Sequence, residues 1–273
     1  MFQSKEKVCV SAHRGGRNHG IENTLTAFKN ALSIGVDMIE TDVRMTKDGY
    51  LVLMHDETLE RTTDGKGLVK ELTLEEIGKL DATVHSDIPV SPEAPPLFSQ
   101  LLELCLQYPD VMLNIEFKDY PTDGNEDFAY TCADKICDLL IHYGVDNRTW
   151  INSFSGKILE HVYKKHGKRF HYHGFYPWFI LGEMDLDPER FIDVACMQHR
   201  YMTEDGQVVK YEDPMCPKEW FKLLIDKGIM PLMAPSLQKF PLYDIAFSWG
   251  SRIVNTDYPE DMLAHLREMG LHS

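Results

Sequence analysis

Glu40, Asp42 and His55 lie within one short stretch, Met38 to Asp64, that reads as two strands joined by a tight turn. Residues two apart on a strand share a face, so Glu40 and Asp42 project the same way. Asp48-Gly49 suits a two-residue hairpin loop in which both central residues take positive φ. That turn sets Lys47 opposite Tyr50 and, counting outward, Asp42 opposite His55. Two carboxylates and an imidazole on one patch suit a divalent cation with an acid/base group beside it. A solvated acidic hairpin face has the same spacing, so residues elsewhere in the chain decide between the two readings.

Those residues are present. The buried-strand pattern KVCVSA, Lys7 to Ala12, ends at His13-Arg14-Gly15-Gly16, where glycines let the backbone approach a ligand closely. Strand Val111 to Phe117 brings Glu116, with Lys118 on the same face, to its C-terminal end. Carboxylate oxygens favour one hard divalent cation, Mg²⁺ or Ca²⁺, over zinc. Two histidines on opposite sides of a phosphodiester can divide the proton transfers, one accepting from the nucleophile and one donating to the leaving alkoxide. Arg14 and Lys118 can neutralise the phosphate oxygens.

The positioning elements follow an alternating order. After the first strand, Asn23 or Thr24 can cap a helix whose apolar positions Leu25, Phe28, Ala31 and Leu32 have helical spacing, and Gly35 closes it. Strand Met38 to Val43 follows, so the first two strands are parallel with a crossover. Leu51 to His55 runs antiparallel as an excursion above the sheet. A short helix opens at Thr73-Leu74-Glu75-Glu76 with capping-box spacing, and another at Phe98 to Leu106. Further strands are expected at Thr149 to Phe154, Phe170 to Tyr176, Val194 to Met197, Met230 to Met233 and Arg252 to Asn255. Helices are expected between them at Phe128 to Tyr143, Gly156 to His166, Pro188 to Ile192, Pro217 to Lys227 and Tyr243 to Ser248. Without the excursion this makes eight strands. The expected fold is α/β, a single (β/α)₈ TIM barrel over residues 1–273, with a β-hairpin and a small insertion, about 56–96, after the second strand. Its active site belongs at the C-terminal strand ends.

Composition bounds the partners. The 273 residues carry a net charge of −15, which argues against nucleic acid or an anionic bilayer as the main partner. No apolar run is long enough for a signal peptide or a stable membrane insertion, so a cytoplasmic location is expected. The six cysteines sit in apolar patterns and read as reduced packing thiols. Nothing in the sequence bears on oligomeric state.

The chain resembles the glycerophosphodiester phosphodiesterase family, a branch of the barrels related to phosphatidylinositol-specific phospholipase C. The resemblance is carried by His13-Arg14-Gly15, Glu22-Asn23-Thr24, Glu40-Thr41-Asp42-Val43, Thr46-Lys47-Asp48-Gly49, the run from His55 to Gly67, Asn114-Ile115-Glu116-Phe117-Lys118 and Asn255-Thr256-Asp257-Tyr258-Pro259. It implies that His13 and His55 are the acid/base pair, that Glu40, Asp42 and Glu116 hold the metal, and that Arg14 and Lys118 contact phosphate. The implied reaction is hydrolysis of a small glycerophosphodiester to glycerol 3-phosphate and an alcohol. Ile21 stands where members usually have proline. Pro231 to Ser236 replaces the Trp-Thr-Val-Asn type of strand end that commonly walls the pocket, and Gln198 to Pro217 is longer than the usual loop. Phe154 and Trp249 are the remaining candidates for substrate contact, Trp249 filling the vacated wall from the next loop.

Two other functions share these residues. One is a lysophospholipase D or sphingomyelinase D-like lipid phosphodiesterase, for which Tyr176, Trp178 and Phe179 would line the pocket mouth. The other is a non-catalytic phosphodiester-binding barrel, which the presence of both histidines and all three acids disfavours. His161, His166, His171 and His173 read as a solvated helix face followed by a strand.

Overall fold

The computed structural model describes residues 5–19, 21–122, 124–198, 200–202, 207–210, 216–233 and 240–273. Its strands are β1 (Cys9–Ala12), β2 (Met38–Met45), β3 (Leu51–Leu53), β4 (Met112–Phe117), β5 (Thr149–Asn152), β6 (His171–Tyr176), β7 (Val194–Met197), β8 (Arg200–Met202), β9 (Val208–Lys210), β10 (Met230–Met233) and β11 (Ile253–Thr256). Eight of them, β1, β2, β4, β5, β6, β7, β10 and β11, form a parallel sheet that closes on itself through β1–β11 and β1–β2 pairing. Closure leaves no free edge in the barrel. The helices are α1 (Leu25–Ile34), α2 (Leu74–Ile77), α3 (Phe98–Cys105), α4 (Glu126–His142), α5 (Gly156–His166), α6 (Lys218–Asp226), α7 (Phe240–Ser248) and α8 (Pro259–Glu268). Between β6 and β7 the expected helix Pro188–Ile192 is only a 3₁₀ turn at Pro188–Arg190.

Local chemistry explains the boundaries near the site. The Thr24 side chain accepts from the Ala27 amide to start α1, and Gly35, at φ 87°, ends it with its amide on Ala31 and Leu32 carbonyls. Thr73 and Glu76 form the expected capping box of α2. The hairpin and the insertion share a small core of Val52, Met54, Leu59, Val69 and Ile77, separate from the main core between barrel and helices. All six cysteines are buried thiols with no disulfide.

The hairpin differs from expectation by one residue. β2 and β3 pair Val43 with Leu53 and Met45 with Leu51, so Thr46 faces Tyr50 and Asp42 faces Met54, whose amide donates to the Asp42 carbonyl at 3.0 Å. Of Asp48 and Gly49, only Gly49 has positive φ, at 84°. A type I′ turn needs both, and the chain instead makes a three-residue loop with glycine in the left-handed position. Thr46 secures it, its hydroxyl donating to Asp48 at 2.6 Å and accepting from the Tyr50 amide at 3.0 Å. His55 therefore lies beyond the ladder, not across from Asp42.

Candidate active site

Two adjacent strands supply the acids, Glu40 and Asp42 from β2 and Glu116 from β4. Parallel pairing of β2 with β4 sets Asp42 beside Glu116 and Glu40 beside Asn114. Glu40, Asp42 and Glu116 are all buried, and one carboxylate oxygen from each lies within 4.8 Å of the others. Burial, reinforced by its two acidic neighbours, pushes the Glu40 carboxyl well above the usual range. Burial also raises Glu116, although Lys118 opposes it. Burial works against ionisation of Asp42 as well, yet Lys118 and Arg14 hold that group below its ordinary value. Among the described residues, buried Asp42 Oδ1 has no hydrogen-bond partner, Lys118 Nζ standing 3.5 Å away as an ion-pair partner. An all-oxygen set with an orphaned carboxylate oxygen and mutually repelling charges fits a hard divalent cation.

The cations are held in place by the same acids. Lys118 Nζ is 2.7 Å from Glu116 Oε1, and Arg14 spans Glu22 at 2.7 Å and Asp42 at 3.2 Å. Arg14 sits in the left-handed region, φ 53° and ψ 32°, with its amide on Glu40 Oε2 at 2.9 Å. The next residue must be glycine: at φ 79°, a Cβ on Gly15 would lie 2.9 Å from Phe28 and 3.0 Å from Ala27. The turn after β1 is thus forced against α1, and Arg14 is aimed inward.

His13 directly follows β1, with Nδ1 2.6 Å from Asp257 Oδ1 and Nε2 4.0 Å from Glu40 Oε2. A carboxylate on Nδ1 fixes the tautomer that presents Nε2 to the cluster. His55 is held by Asp56 at 2.5 Å through Nδ1, while its carbonyl accepts from Arg44 at 3.0 and 2.8 Å. Burial pushes the His55 imidazole down to about 4, with Lys118 and Arg14 adding to the effect and Asp42 and Asp56 opposing it. Asp56 in turn pairs with Arg61, which reaches Glu22 at 2.8 Å. Both histidines, three acids, Arg14 and Lys118 therefore belong to one connected rim.

Several further residues of that rim are not among the candidate site residues, and Asn23, a candidate helix cap in the sequence, leaves the cap to Thr24. Asp257 follows β11 at the barrel seam, and its place one residue past a strand end was the available signal. Glu22 gathers Arg14, Arg17 and Arg61; these arginines hold its carboxyl far below the ordinary range against the opposing effect of burial. Asn23, at φ 57°, donates to Asp42 at 2.8 Å and accepts from the Thr41 hydroxyl at 2.8 Å.

The two candidate pocket aromatics separate. Phe154, two residues past β5, stacks on Phe175 with centroids 3.5 Å apart, and Lys118 Nζ is 6.0 Å from its ring. Trp249 lies between α7 and β11, in a loop that enters a strand, hence at the barrel end away from the acids. Its ring packs edge-on against Phe221 at 5.3 Å, with Lys218 Nζ 5.9 Å away. Ala234 to Ser236, like His199, lies outside the described residues, while β8 and β9 form a two-stranded hairpin within the long segment after β7. His173 lies on β6, in the strand expected after the histidine-bearing helix, and is buried inside the barrel with Nδ1 3.2 Å from Asn114 Oδ1, whereas His161 on α5 pairs with Asp134.

Residues 13–196, more than half of the chain, match the model of the Glycerophosphoryl diester phosphodiesterase family. The chain belongs to that family. A glycerophosphodiester phosphodiesterase of Caldanaerobacter subterraneus subsp. tengcongensis is 41% identical over 162 residues, 58% of this chain and 63% of the relative. One of Bacillus altitudinis is 36% identical over 180 residues, 65% of this chain and 66% of the relative. The matched stretch thus spans slightly less than two thirds of each. The fold is similar to the crystal structure of glycerophosphodiester phosphodiesterase from Agrobacterium tumefaciens, with TM-score 0.71, 22% identity and coverage of 93% and 97%. It is also similar to an Oleispira antarctica phosphodiesterase solved with sn-glycerol 3-phosphate as product, with TM-score 0.75, 21% identity and coverage of 95% and 96%. The glycerophosphoryl diester phosphodiesterase match begins at His13 and includes all five residues read as acid/base and metal ligands.

Proposed function

We propose that the chain, acting as one domain, hydrolyses small glycerophosphodiesters to glycerol 3-phosphate and an alcohol. The observation that carries this reading is the buried trio Glu40, Asp42 and Glu116, set at strand ends beside His13 and Lys118. A Mg²⁺ or Ca²⁺ ion held by the three acids would polarise a phosphoryl oxygen and anchor the diester. Arg14 and Lys118 offer their remaining donors to the phosphate oxygens, where negative charge grows as the P–O bond to the alcohol breaks. One of His13 and His55 takes the proton of the attacking hydroxyl, and the other donates a proton to the departing alkoxide. Asp257 and Asp56 hold the two rings in tautomers suited to that exchange. One water is consumed per diester, and the proton removed at one histidine is matched by the proton given at the other.

Family membership supports the diesterase reading, and the product found in the Oleispira relative supports glycerol 3-phosphate as the retained half. Among the described residues no helix is long and apolar enough to cross a membrane. Together with the net charge of −15, this favours a dissolved diester and a cytoplasmic site of action over a bilayer substrate. A lipid-acting alternative draws on the aromatic cluster at the end of β6, where Tyr176 meets Trp178 and Trp220, both at 5.1 Å, and Phe179 is exposed. Specificity constants for a glycerophosphoalcohol and the matching lysophospholipid, below and above micelle formation, separate the two. The dissolved diester is expected to win, and a lipid preference of about tenfold, roughly 1.4 kcal/mol of transition-state binding, would overturn the proposal.

A further inference from the structure

Next to the acid cluster, on the His55 side, a cavity of about 300 Å³ lies between the insertion and the end of β4, bordered by Arg44, Glu57, Lys70, Lys118, Asp119 and Tyr120. It shares Lys118 with the rim, and the Tyr120 hydroxyl stands 3.5 Å from Glu116 Oε1. The volume is at the lower end of the range for small-molecule sites, enough for a short polar alcohol.

The charges around this cavity fall into two groups. Those of the floor are committed: Arg44 pairs with Asp119 at 3.1 Å and donates to the His55 and Lys118 carbonyls, while Asp119 accepts from the Met45 amide at 2.8 Å. Those of the outer wall are not. Glu57 and Lys70 are exposed, and among the described residues neither has an oppositely charged group within 4.0 Å. Their backbones are nevertheless fixed, because the Val69 amide donates to the Glu57 carbonyl at 2.9 Å and Thr58 bridges Leu68. Two opposite charges are therefore held beside one concavity without neutralising each other.

Resting on the diesterase reading, we propose that this cavity is the subsite for the alcohol half of the substrate and that it selects amino alcohols, with Glu57 as counterion to the ammonium group. Lys70 meets a carboxylate where the alcohol carries one. The glycerol half has only neutral hydroxyls, so a wall with two uncommitted charges complements the half whose charge varies between substrates. A charge-assisted hydrogen bond to the ammonium discriminates between alcohols where a neutral donor and acceptor would not.

The test measures kcat/KM of the metal-loaded full chain on three diesters: glycerophosphoethanolamine, glycerophosphoserine and the neutral glycerophosphoglycerol. For Glu57→Lys, both amine-bearing diesters are expected to lose about tenfold relative to the neutral one, on the scale of a hydrogen bond to a charged group. Glu57→Gln, which keeps the shape, should give a smaller loss in the same direction and covers the case in which the lysine variant fails to fold. Lys70→Glu should lower the serine diester relative to the ethanolamine diester. Unchanged ratios in folded variants would overturn the subsite while leaving the diesterase reading intact. A wild-type chain inactive on all three diesters would instead count against the reading on which the subsite rests.

Discussion

Along β1, β2, β4 and β11 the strand ends carry His13, Glu40, Asp42, Glu116, Lys118 and Asp257, each tied to another charged member. Next to β4 in the sheet, β5 and β6 carry Asn152, Phe154, His173, Phe175 and Tyr176, and the contacts among them are ring stacking and neutral hydrogen bonds. Both arcs are made of strands with the same alternation and the same burial. They differ in where uncompensated polarity sits. Where three acids meet on the charged arc, Asp42 Oδ1 has an ion-pair partner in Lys118 but, among the described residues, no hydrogen bond, whereas on the neutral arc Asn152 Oδ1 and His173 Nε2 have no hydrogen-bond partner among the described residues. Negative charge concentrated at a rim attracts a cation, whereas neutral dipoles in an interior do not. On the proposed reading the charged arc is the place for bond-breaking, and the neutral arc for shape and stability.

The sharpest break of that contrast is Glu116→Gln. It should fold with an unchanged circular dichroism spectrum and lose divalent-cation-dependent turnover by about a thousandfold, the upper range for removing a charge-stabilising group at a reacting centre. A variant that keeps full activity in chelator would remove Glu116 from the site. Next come His13→Ala and His55→Ala, each expected to cost about 10²–10⁴-fold in kcat. On the proposal that the two act as one unit, the double variant should fall little below the worse single variant. Additive losses would mean that the histidines act independently.

Changes on the neutral arc should be smaller and of a different kind. Phe154→Ala is expected to raise KM about three- to tenfold with little change in kcat, the signature of lost uniform binding. An equal fall in kcat and kcat/KM would place Phe154 with the charged arc. The last effect is on stability. Burial pushes His173 down to about 3, so between that value and the unfolded value of about 6.5 only the unfolded chain takes the proton. Stability present above about pH 6.5 is therefore lost as pH falls, by up to about 1.4 kcal/mol per pH unit. Denaturant midpoints between pH 4 and 7 should show His173→Gln without this share of the slope, and identical slopes in the two proteins would contradict the buried neutral imidazole.

Much of the molecule is legible in one dimension. Period-two strands alternating with capped helices indicate the barrel, and carboxylates two apart at a strand end, Glu40 with Asp42, indicate a shared face, because alternation is a property of the backbone alone. Thr24, Gly35 and the Thr73–Glu76 box mark helix ends for equally local reasons. The tertiary structure decided what local rules leave open. Hairpin register depends on which turn residues take positive φ, and with Asp48 not doing so every pairing moved by one. Asp257 meets His13 across 244 residues because the last strand closes against the first. Trp249 and His173 went to the far end and the interior, since a residue's end of the barrel depends on chain direction and its face on register. Types and spacings name the chemistry; closure of the sheet determines which of those groups meet.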